Sequence, residues 1–436
     1  MTNFLRENCL RYSTTLILAL TLNSSLLIGC SQEQKPRINS SFPDELKLGA
    51  LLPVTGDLSS IGQNMPEAVK LAIDEINACG GVNGTSVTLV TEDTQTDPTT
   101  GVSAMTKLAE VDRVAGVVGA FTSSVSSAAI TIAAKNNVML VSPGSTSPVF
   151  TEQAKNGDFK GYWARTAPSD TYQARALAAL ASKEGFKTIG TVVINNDYGV
   201  GFEQEFISAF EKQVGKIIGK RKPIRYDPKA AVLDSEAAAA FTGKPDAVAT
   251  ALYPETGSVL LQAAYKQGLT QKVIVLLTDG VYSEDFVEQV GKTPNGRSIL
   301  AGALGTVPGA DGEVLETFTT KWKEKTGNKL TAFIPHSWDA TILLMLAAEA
   351  AGTNTGEGIK SKIYEVANAP GIEVTNPCKA IELIRNGEEI NYQGASGNVD
   401  IDENGDVVGI YDVWTVKEDG TTEVIGQISP ANVTDD

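Results

Sequence analysis

Histidine and cysteine are scarce in this sequence. Of its 436 residues, one is histidine, His336, and four are cysteine. A zinc site built on several histidines is therefore excluded, and no two cysteines form a C-x-x-C pair. A Ser/His/Asp hydrolase would have to use His336, which we expect to be an exposed residue near a helix start. The G-x-S-x-G turn that presents such a serine is also missing, so the sequence argues against this class of enzyme.

Signals for nucleotides and nucleic acids are missing as well. No G-x-G-x-x-G follows the first predicted strand, and no Walker A lysine loop occurs. The chain has 36 Lys and Arg against 52 Asp and Glu, a formal net charge of −16. Because such a chain repels a phosphate backbone, we expect no nucleic-acid partner. We also expect no cofactor.

Hydrophobic runs long enough to suggest a membrane occur only at the N-terminus. Two arginines precede TTLILALTLNSSLLIG, which is too short and too rich in serine for a comfortable span. The run ends in Leu27-Ile28-Gly29-Cys30, which resembles the lipobox of a bacterial lipoprotein. We predict a signal peptide over residues 1–29, then a lipidated Cys30 and polar tether over 30–43. An ordinary signal peptide with an incidental cysteine is the alternative.

The predicted export bears on the remaining cysteines. Cys9 lies in the predicted signal, so the globular part keeps Cys79 and Cys378. Two cysteines in an oxidising compartment can pair, and two buried thiols are the alternative. We favour a disulfide between them.

Short apolar runs alternate with amphipathic segments along the globular part. KLGALLPV, SVTLVTED and VAGVVG are predicted strands with helical patterns between them, and the alternation restarts at TIGTVVI. Such alternation predicts βαβ units, and the continuous apolar character of the strands predicts parallel sheets buried on both faces. About 390 residues are enough for two such α/β halves.

Hydroxyl side chains follow two neighbouring strands of the first half. GAFTSSVSSAA occupies residues 119–129, and VSPGSTSP occupies residues 141–148. Singly, these hydroxyls are expected to cap helices. However, neighbouring parallel strands bring their carboxyl ends to one edge, where helix N-termini favour negative charge and ligands bind. Together the two loops predict a cradle for a carboxylate.

The strands of the second half end in different residues. Tyr198, Tyr253 and Asp279 each lie just beyond a predicted strand. A turn residue and two packed aromatics explain them singly. On an edge that faces the hydroxyl loops, they complement the ammonium of a zwitterion. We therefore predict a zwitterionic ligand between the halves.

Several segments, in order, resemble the leucine/isoleucine/valine-binding protein family, the type I periplasmic receptors of ABC importers. The resemblance spans residues 45 to 427 and rests on KLGALLPVTGDLSSIGQ, AIDEINACGGVNG, SSVSS, VSPGSTSP, RTAPSD, NNDYGVGF and VDIDENGDVVG. It implies an α/β, two-lobed periplasmic-binding-protein type I fold. Each lobe would be a mainly parallel sheet flanked by helices.

The resemblance also implies three hinge crossovers between the lobes, with ligand trapped by closure. We place these crossovers near Thr166, near Thr306 and around the DIDENGD hairpin. The predicted lobe 1 is then 44–166 plus 307–398, and lobe 2 is 167–306 plus 399–430.

Family roles carry over to particular positions. Ser123 would contact the ligand carboxylate, and Asp279 would pair with the ammonium where these receptors commonly have the longer glutamate. Because Ile61 stands where they often have an aromatic residue, Trp338 is a candidate for the side-chain pocket. The predicted ligand-binding residues are Ser123, Gly144, Thr146, Tyr198, Tyr253, Asp279 and Trp338.

The closing hairpin also matches the opening of a calcium-binding loop. The candidate ligands are Asp400, Asp402, Asn404 and Asp406. The twelfth position, normally glutamate, is Tyr411, and the flanking segments are predicted strands. We therefore favour a hairpin turn and expect no metal.

The sequence and the resemblance together predict a receptor without catalytic activity. It would be an extracytoplasmic, lipid-anchored monomer that captures neutral or hydrophobic L-amino acids and delivers them to an ABC permease. A urea or short-amide receptor of the same family, and a ligand sensor for a membrane signalling partner, are the alternatives. An exported α/β hydrolase is disfavoured by the missing motifs.

Overall fold

The computed structural model describes residues 45–213, 215–219 and 222–429. The predicted signal peptide, Cys30 and the tether lie outside the described residues. Within the described ranges, no helix combines the length and the apolar character that a membrane crossing requires.

The helices and strands are numbered in chain order. The strands are β1 Leu46–Leu52, β2 Val87–Asp93, β3 Gly116–Gly119, β4 Met139–Ser142, β5 Trp163–Arg165, β6 Thr188–Ile194, β7 Lys216–Ile218, β8 Ile224–Tyr226, β9 Ala247–Ala251, β10 Ile274–Leu277, β11 Leu304–Gly309, β12 Ile372–Val374, β13 Ile390–Tyr392, β14 Ile410–Val416 and β15 Thr422–Ile428. The helices are α1 Ser59–Gly62, α2 Met65–Ala78, α3 Pro98–Thr106, α4 Ser123–Lys135, α5 Val149–Lys155, α6 Asp170–Lys183, α7 Asp197–Lys212, α8 Asp234–Ala240, α9 Pro254–Lys266, α10 Glu284–Val290, α11 Gly312–Thr326, α12 Ile334–Ala351, α13 Gly356–Ala367 and α14 Pro377–Arg385. A π-helical segment, Lys107–Asp112, extends α3, and a 3₁₀ turn, Asp279–Val281, follows β10.

The first sheet has five strands in the order β2-β1-β3-β4-β5, and every neighbouring pair is parallel. Strands β3 and β4 are buried along their whole length, as the continuous apolar runs predicted. We call this sheet and its helices the first lobe. The long helix α12 packs against its strands β3 and β4.

The second sheet has the order β15-β14-β11-β10-β9-β6-β7, and β8 also pairs with β6. Its pairs are parallel except where β14 joins β11 and β15. This sheet and its helices form the second lobe. The predicted α/β class with two mainly parallel sheets is thus confirmed. The predicted crossover at Thr306 falls inside β11, which pairs with second-lobe strands along its length.

A disulfide joins Cys79 and Cys378, whose Cα atoms are 5.6 Å apart. Cys79 ends α2, and Cys378 lies in the first turn of α14. The bond therefore closes a covalent loop between residues 299 positions apart in the chain.

We expect the double substitution Cys79→Ala, Cys378→Ala to lower the free energy of unfolding by about 2–4 kcal/mol, because the crosslink limits the conformations of the unfolded chain. Denaturant titration of oxidised wild type, reduced wild type and the variant measures this. Reduced wild type should match the variant. Equal midpoints for all three proteins would contradict the prediction.

Candidate ligand-binding site

The carboxyl ends of strands from the two sheets face each other across a cleft. Ser147, beyond β4 of the first lobe, donates its hydroxyl to the carbonyl of Asp197, beyond β6 of the second lobe, at 2.9 Å. Asp57, beyond β1, accepts the backbone N–H of Glu255, beyond β9, at 2.5 Å. Both hydrogen bonds join loops at the edges where α/β sheets bind ligands.

On the second-lobe side, Tyr198 and Asp279 are in direct contact. The Tyr198 hydroxyl oxygen lies 2.9 Å from Asp279 Oδ1 and 2.7 Å from Thr278 Oγ1. The Tyr253 ring stacks on the Tyr198 ring, with centroids 5.8 Å apart. The structure therefore brings together Tyr198, Tyr253 and Asp279, the residues predicted on this side.

The carboxyl of Asp279 is buried at this edge of the second lobe. Burial raises its pKa to about 6, although the hydrogen bond from Tyr198 favours the ionised form. An ammonium group placed against this carboxyl would favour the ionised form further.

A second buried acid, Asp170, was missed by the sequence analysis. Asp170 begins α6 and is 0 % exposed. Its Oδ2 accepts the hydroxyl of Thr146 at 3.0 Å, and its Oδ1 has no hydrogen-bond partner in the described part of the chain. Burial and the nearby charge of Asp279 both raise the pKa of Asp170. The sequence did offer a signal for this residue, because Asp170 ends the segment RTAPSD, which contains the predicted crossover at Thr166.

Asp170 also connects two predicted regions of the site. Its backbone N–H donates to the carbonyl of Thr146 at 2.7 Å, so Thr146 is held at both its main chain and its side chain. Asp170 and Asp279 belong to the second lobe, whereas Thr146 belongs to the loop after β4. The two carboxyls and the Thr146 hydroxyl thus form one buried polar cluster, which we call the acid pair with its threonine.

Simple helix capping does not explain the hydroxyls before α4. Thr122 occupies the N-cap position, yet its side chain makes no cap hydrogen bond, and its buried Oγ1 has no partner among the described residues. Ser123 Oγ, which is buried, accepts the N–H of Ser147 at 3.2 Å. The Ser123 hydroxyl thereby joins the two loops that were predicted to form the carboxylate cradle.

Three other hydroxyls of these loops hold the loops together. Ser126, Ser142 and Ser145 each donate to the carbonyl of Ala120, at 3.1, 2.6 and 3.1 Å. These three hydroxyls converge on one buried carbonyl group and so hold together the two loops that carry Ser123 and Thr146.

Gly144 is required by a close approach. A Cβ atom at this position would lie 2.1 Å from Cε2 of Phe121. Phe121 in turn meets the Phe333 ring edge to face, at 5.0 Å between centroids. Gly144 therefore allows the second hydroxyl loop to pack directly on an aromatic pair.

Arg165 fixes the same loop from the side of the hinge. Its guanidinium is fully buried and donates to the carbonyls of Ser145 and Ser147, both at 3.0 Å. Its Nε donates to Asp406 Oδ1 at 2.7 Å. The loop that carries Thr146 is thus attached to the DIDENGD segment through one buried arginine.

These contacts decide how the calcium candidates are used. Asp406 binds Arg165 and accepts the hydroxyl of Thr151 at 2.6 Å. Asp402 Oδ1 accepts the N–H groups of Asn404 and Asp406, which is the pattern of a turn. In the described ranges, no three His, Cys, Asp or Glu side chains cluster as metal ligands would. The structure therefore uses these residues in a turn. The predicted flanking strands are wrong, because residues 398–409 contain no strand, and Asp402 and Asp406 instead hold the turn by side-chain hydrogen bonds.

Trp338 lies apart from the other predicted residues. Its ring packs on Phe318 at 5.0 Å between centroids, beneath the ammonium of Lys321. It lines a cavity of about 230 Å³ with Glu75, Asn376 and Tyr392, and no other predicted site residue lines that cavity. Helix α12 turns this side chain toward α11 instead of the cleft, so the structure does not support Trp338 as a ligand contact.

A different cavity lies between the lobes and measures about 190 Å³. Its apolar wall is formed by Ile61, Leu330 and Ala332 from the first lobe and by Tyr282 from the second. The rest of its lining is polar or charged: Ser60, Ser283, Glu284, Asp285, Lys329, Thr331 and Thr422. Tyr282 directly follows the 3₁₀ turn that begins at Asp279. This cavity contains Ile61, the position that the resemblance associated with the ligand side chain.

His336 is buried, contrary to the expectation of an exposed residue. It lies in the first turn of α12 and is 3 % exposed. Burial lowers its pKa to about 3, so the ring is neutral at neutral pH. Neither ring nitrogen has a hydrogen-bond partner in the described residues, so His336 activates no nucleophile there.

Comparison with known proteins identifies the family of the chain. The model of the family "Receptor family ligand binding region" matches residues 64–419. BasB of Halobacterium salinarum, a chemotactic signal transduction system substrate-binding protein, is 26 % identical over 375 residues, covering 81 % of this chain and 83 % of BasB. Leu/Ile/Val-binding protein homolog 1 of Brucella abortus is 28 % identical over 331 residues, covering 75 % and 84 %.

The architecture has a close match among solved structures. The leucine-binding protein LivK of Thermotoga maritima superposes with a TM-score of 0.74 at 26 % identity, and the match covers 89 % of this chain and 99 % of LivK. The family model, the relatives and the fold agree with the segments on which the resemblance rests. The chain belongs to the receptor ligand-binding-region family, within its group of Leu/Ile/Val-binding type I periplasmic binding proteins.

Proposed function

We propose that this protein is an extracytoplasmic receptor that captures a neutral, hydrophobic L-amino acid between its lobes and delivers it to an ABC permease. The observation that carries the proposal is the acid pair with its threonine, which lies at the cleft beside the hydroxyl loops. A receptor of this kind binds its ligand and returns it unchanged, so we propose no catalysis.

A positive charge on the ligand would stabilise the ionised form of the two buried carboxyls. Two buried carboxyls near each other resist ionisation together unless a positive charge joins them. The nearby cation, Arg165, donates to Asp406, Thr151 and two backbone carbonyls. An α-ammonium group has three donors, enough for Asp279, the unpartnered Oδ1 of Asp170 and a neighbouring oxygen.

The opposite end of the ligand would meet the first lobe. Ser123 lies at the start of α4, where the helix dipole and the free backbone N–H groups favour a carboxylate. The Thr122 side chain does not cap this helix, so these N–H groups are open to a ligand from that side. A zwitterion spanning from Ser123 to Asp279 would thus contact both lobes and favour their closure.

The side chain of the ligand would enter the cavity against its apolar wall, formed by Ile61, Leu330, Ala332 and Tyr282. Such a wall favours burial of an aliphatic or aromatic side chain. The rest of the cavity is polar, so the preference for a neutral, hydrophobic amino acid rests also on the relatives named for binding leucine, isoleucine and valine.

Two alternatives keep the same fold but change the ligand or partner. Urea or a short amide would bring no cation to the acid pair, and burying those carboxyls unpaired would cost binding energy. A sensory role is suggested by BasB, the relative named for chemotactic signal transduction. In that case the closed receptor would contact a membrane signalling protein in place of a permease.

The location is part of the proposal. Cys30, lipidated after removal of residues 1–29, would anchor the monomeric receptor to a membrane through the tether of residues 30–43. Mass spectrometry of the mature N-terminus tests for the acyl groups.

A thermal-shift screen tests the ligand class. The protein is first unfolded and refolded to remove carried-over ligand, then melted with each common L-amino acid, urea, short amides, aromatic carboxylates and sugars. We expect hydrophobic amino acids to raise the melting temperature, because they stabilise the native state selectively. A rise confined to urea, amides or aromatic carboxylates would contradict the zwitterion site.

Substitutions in the acid pair test where the ammonium binds. We expect Asp279→Asn and Asp170→Asn each to weaken amino-acid binding by about 2–5 kcal/mol, or at least about 30-fold in Kd. Isothermal titration calorimetry measures Kd. Trp338→Phe, in the separate cavity, is the matched control and should change Kd less than about twofold. The proposal fails if the control weakens binding as much as the acid variants do.

The pKa of Asp279 predicts how binding depends on pH. Its value of about 6 in the ligand-free protein means that the carboxyl gains a proton below this pH, whereas the ammonium needs the ionised form. Kd should therefore increase as pH falls below about 6, by about tenfold at pH 5 if this group alone responds. Asp279→Asn should show a smaller ratio of Kd at pH 5 to Kd at pH 7. An equal ratio in both proteins would exclude Asp279 as the titrating group.

A further inference from the structure

Helix α9 begins in the second lobe without a capping side chain from its own lobe. Tyr253 is at the N-cap position and makes no side-chain cap hydrogen bond, and Pro254 is the first helical residue. The next N–H group, that of Glu255, needs an acceptor at the helix start. The cap must therefore come from elsewhere.

Asp57 of the first lobe supplies the acceptor. Its Oδ1 accepts the Glu255 N–H at 2.5 Å, and its Oδ2 accepts the Thr256 hydroxyl at 3.1 Å. Aspartate is among the strongest N-cap residues, and its charge suits the positive end of the helix. An N-cap side chain normally belongs to the residue just before the helix. Here the capping carboxylate comes from the other lobe, across the cleft.

The first lobe holds Asp57 in position. Gly56 has φ +87°, and a Cβ there would lie 2.2 Å from the carbonyl oxygen of Gln95. The Asp93 carboxylate accepts the N–H groups of Val54 and Thr55 at 3.0 and 3.2 Å. The loop after β1 is therefore held in a fixed turn, from which Asp57 reaches the other lobe.

The capped end of α9 is next to the proposed ligand site. Tyr253, at the N-cap, stacks on Tyr198, and the Tyr198 hydroxyl contacts Asp279. Residues 253–256 thus connect the Asp57 carboxylate to the acid that would bind the ammonium. A shift of α9 would move the aromatic stack that supports Asp279.

We propose that Asp57 is a cross-lobe helix cap that forms when the cleft closes, positions the start of α9 and slows ligand release. The proposal rests on the proposed function only for the identity of the ligand. When the lobes separate, water replaces both partners, so the hydrogen bonds stabilise the closed form specifically. Asp57 is a positioning residue, because it acts on the ligand through Tyr253 and Tyr198.

Another polar contact between the lobes is more exposed. Lys229, which follows β8, and Asp97, which precedes α3, form an ion pair at 3.3 Å, with side chains 81 % and 29 % exposed. Exposed pairs contribute little because water screens them. Lys229→Ala is therefore a matched control, because it removes a contact between the lobes and leaves the ligand cavity and both Asp57 hydrogen bonds in place.

The test uses Asp57→Ala, Asp57→Asn and Lys229→Ala in the full mature protein. Hydrogen exchange at the amide of Glu255 is followed with and without a mixture of the twenty common L-amino acids, and stopped-flow release is followed with L-leucine as the probe. We expect Asp57→Ala to lose protection at Glu255 and to release leucine about fivefold faster, the effect of losing an N-cap. Asp57→Asn keeps an acceptor and should stay within about twofold of wild type, as should Lys229→Ala.

The comparison of Asp57→Asn with Asp57→Ala separates a cap from a general structural role. Asparagine keeps the oxygen that accepts the Glu255 N–H, so it should retain slow exchange and slow release, whereas alanine should lose both. Equal exchange at Glu255 in wild type and Asp57→Ala, under both conditions, would overturn the cap. If amino acids leave wild type unchanged in both melting and exchange, the proposed function fails. The ligand-free proteins then still decide the cap, because it forms in the fraction of molecules that are closed. Slower exchange at Glu255 in wild type than in Asp57→Ala supports the cap, and equal exchange overturns it.

Discussion

Two buried carboxyl groups, Asp170 and Asp279, are the constraint on which the rest of the site depends. Water would stabilise the ionised form of each carboxyl, yet both side chains are buried. Burial and mutual repulsion raise the pKa of Asp170, and burial raises that of Asp279. Arg165 is the charge within the protein that favours the ionised form of Asp170. In the proposed function, the ammonium of the ligand would add a second positive charge beside the two carboxyls.

The surrounding contacts make this arrangement rigid. Arg165 holds the carbonyls of Ser145 and Ser147, while Thr146 binds Asp170 from the same loop. The loop is therefore fixed from the hinge on one side and from the second lobe on the other. Because Arg165 fixes this loop within the first lobe before the lobes close, little binding energy is needed to order the loop.

The alternation of apolar strands and amphipathic helices was enough to predict both sheets and the edge at which their strand ends meet, because parallel strands bring their ends together. It also brought Tyr198, Tyr253 and Asp279 to one place. It could not orient Trp338, since nearly every position of α12 is buried and no face of it stands out. Asp170 was missed because a helix start explains an aspartate locally. Its role depends on Thr146 and Asp279, which are distant in sequence.

Closure and ligand binding are coupled through the same layer of residues. The Tyr198–Tyr253 stack contacts Asp279 at one end and the start of α9 at the other, where Asp57 of the opposite lobe accepts its hydrogen bonds. A ligand shifts the balance between open and closed forms only by binding one of them better. In the proposed function, contacts to both lobes would give that preference to a zwitterion, whose two charges are held apart by its own skeleton. A ligand with a single charged end would engage one lobe and leave closure to the cross-lobe contacts alone.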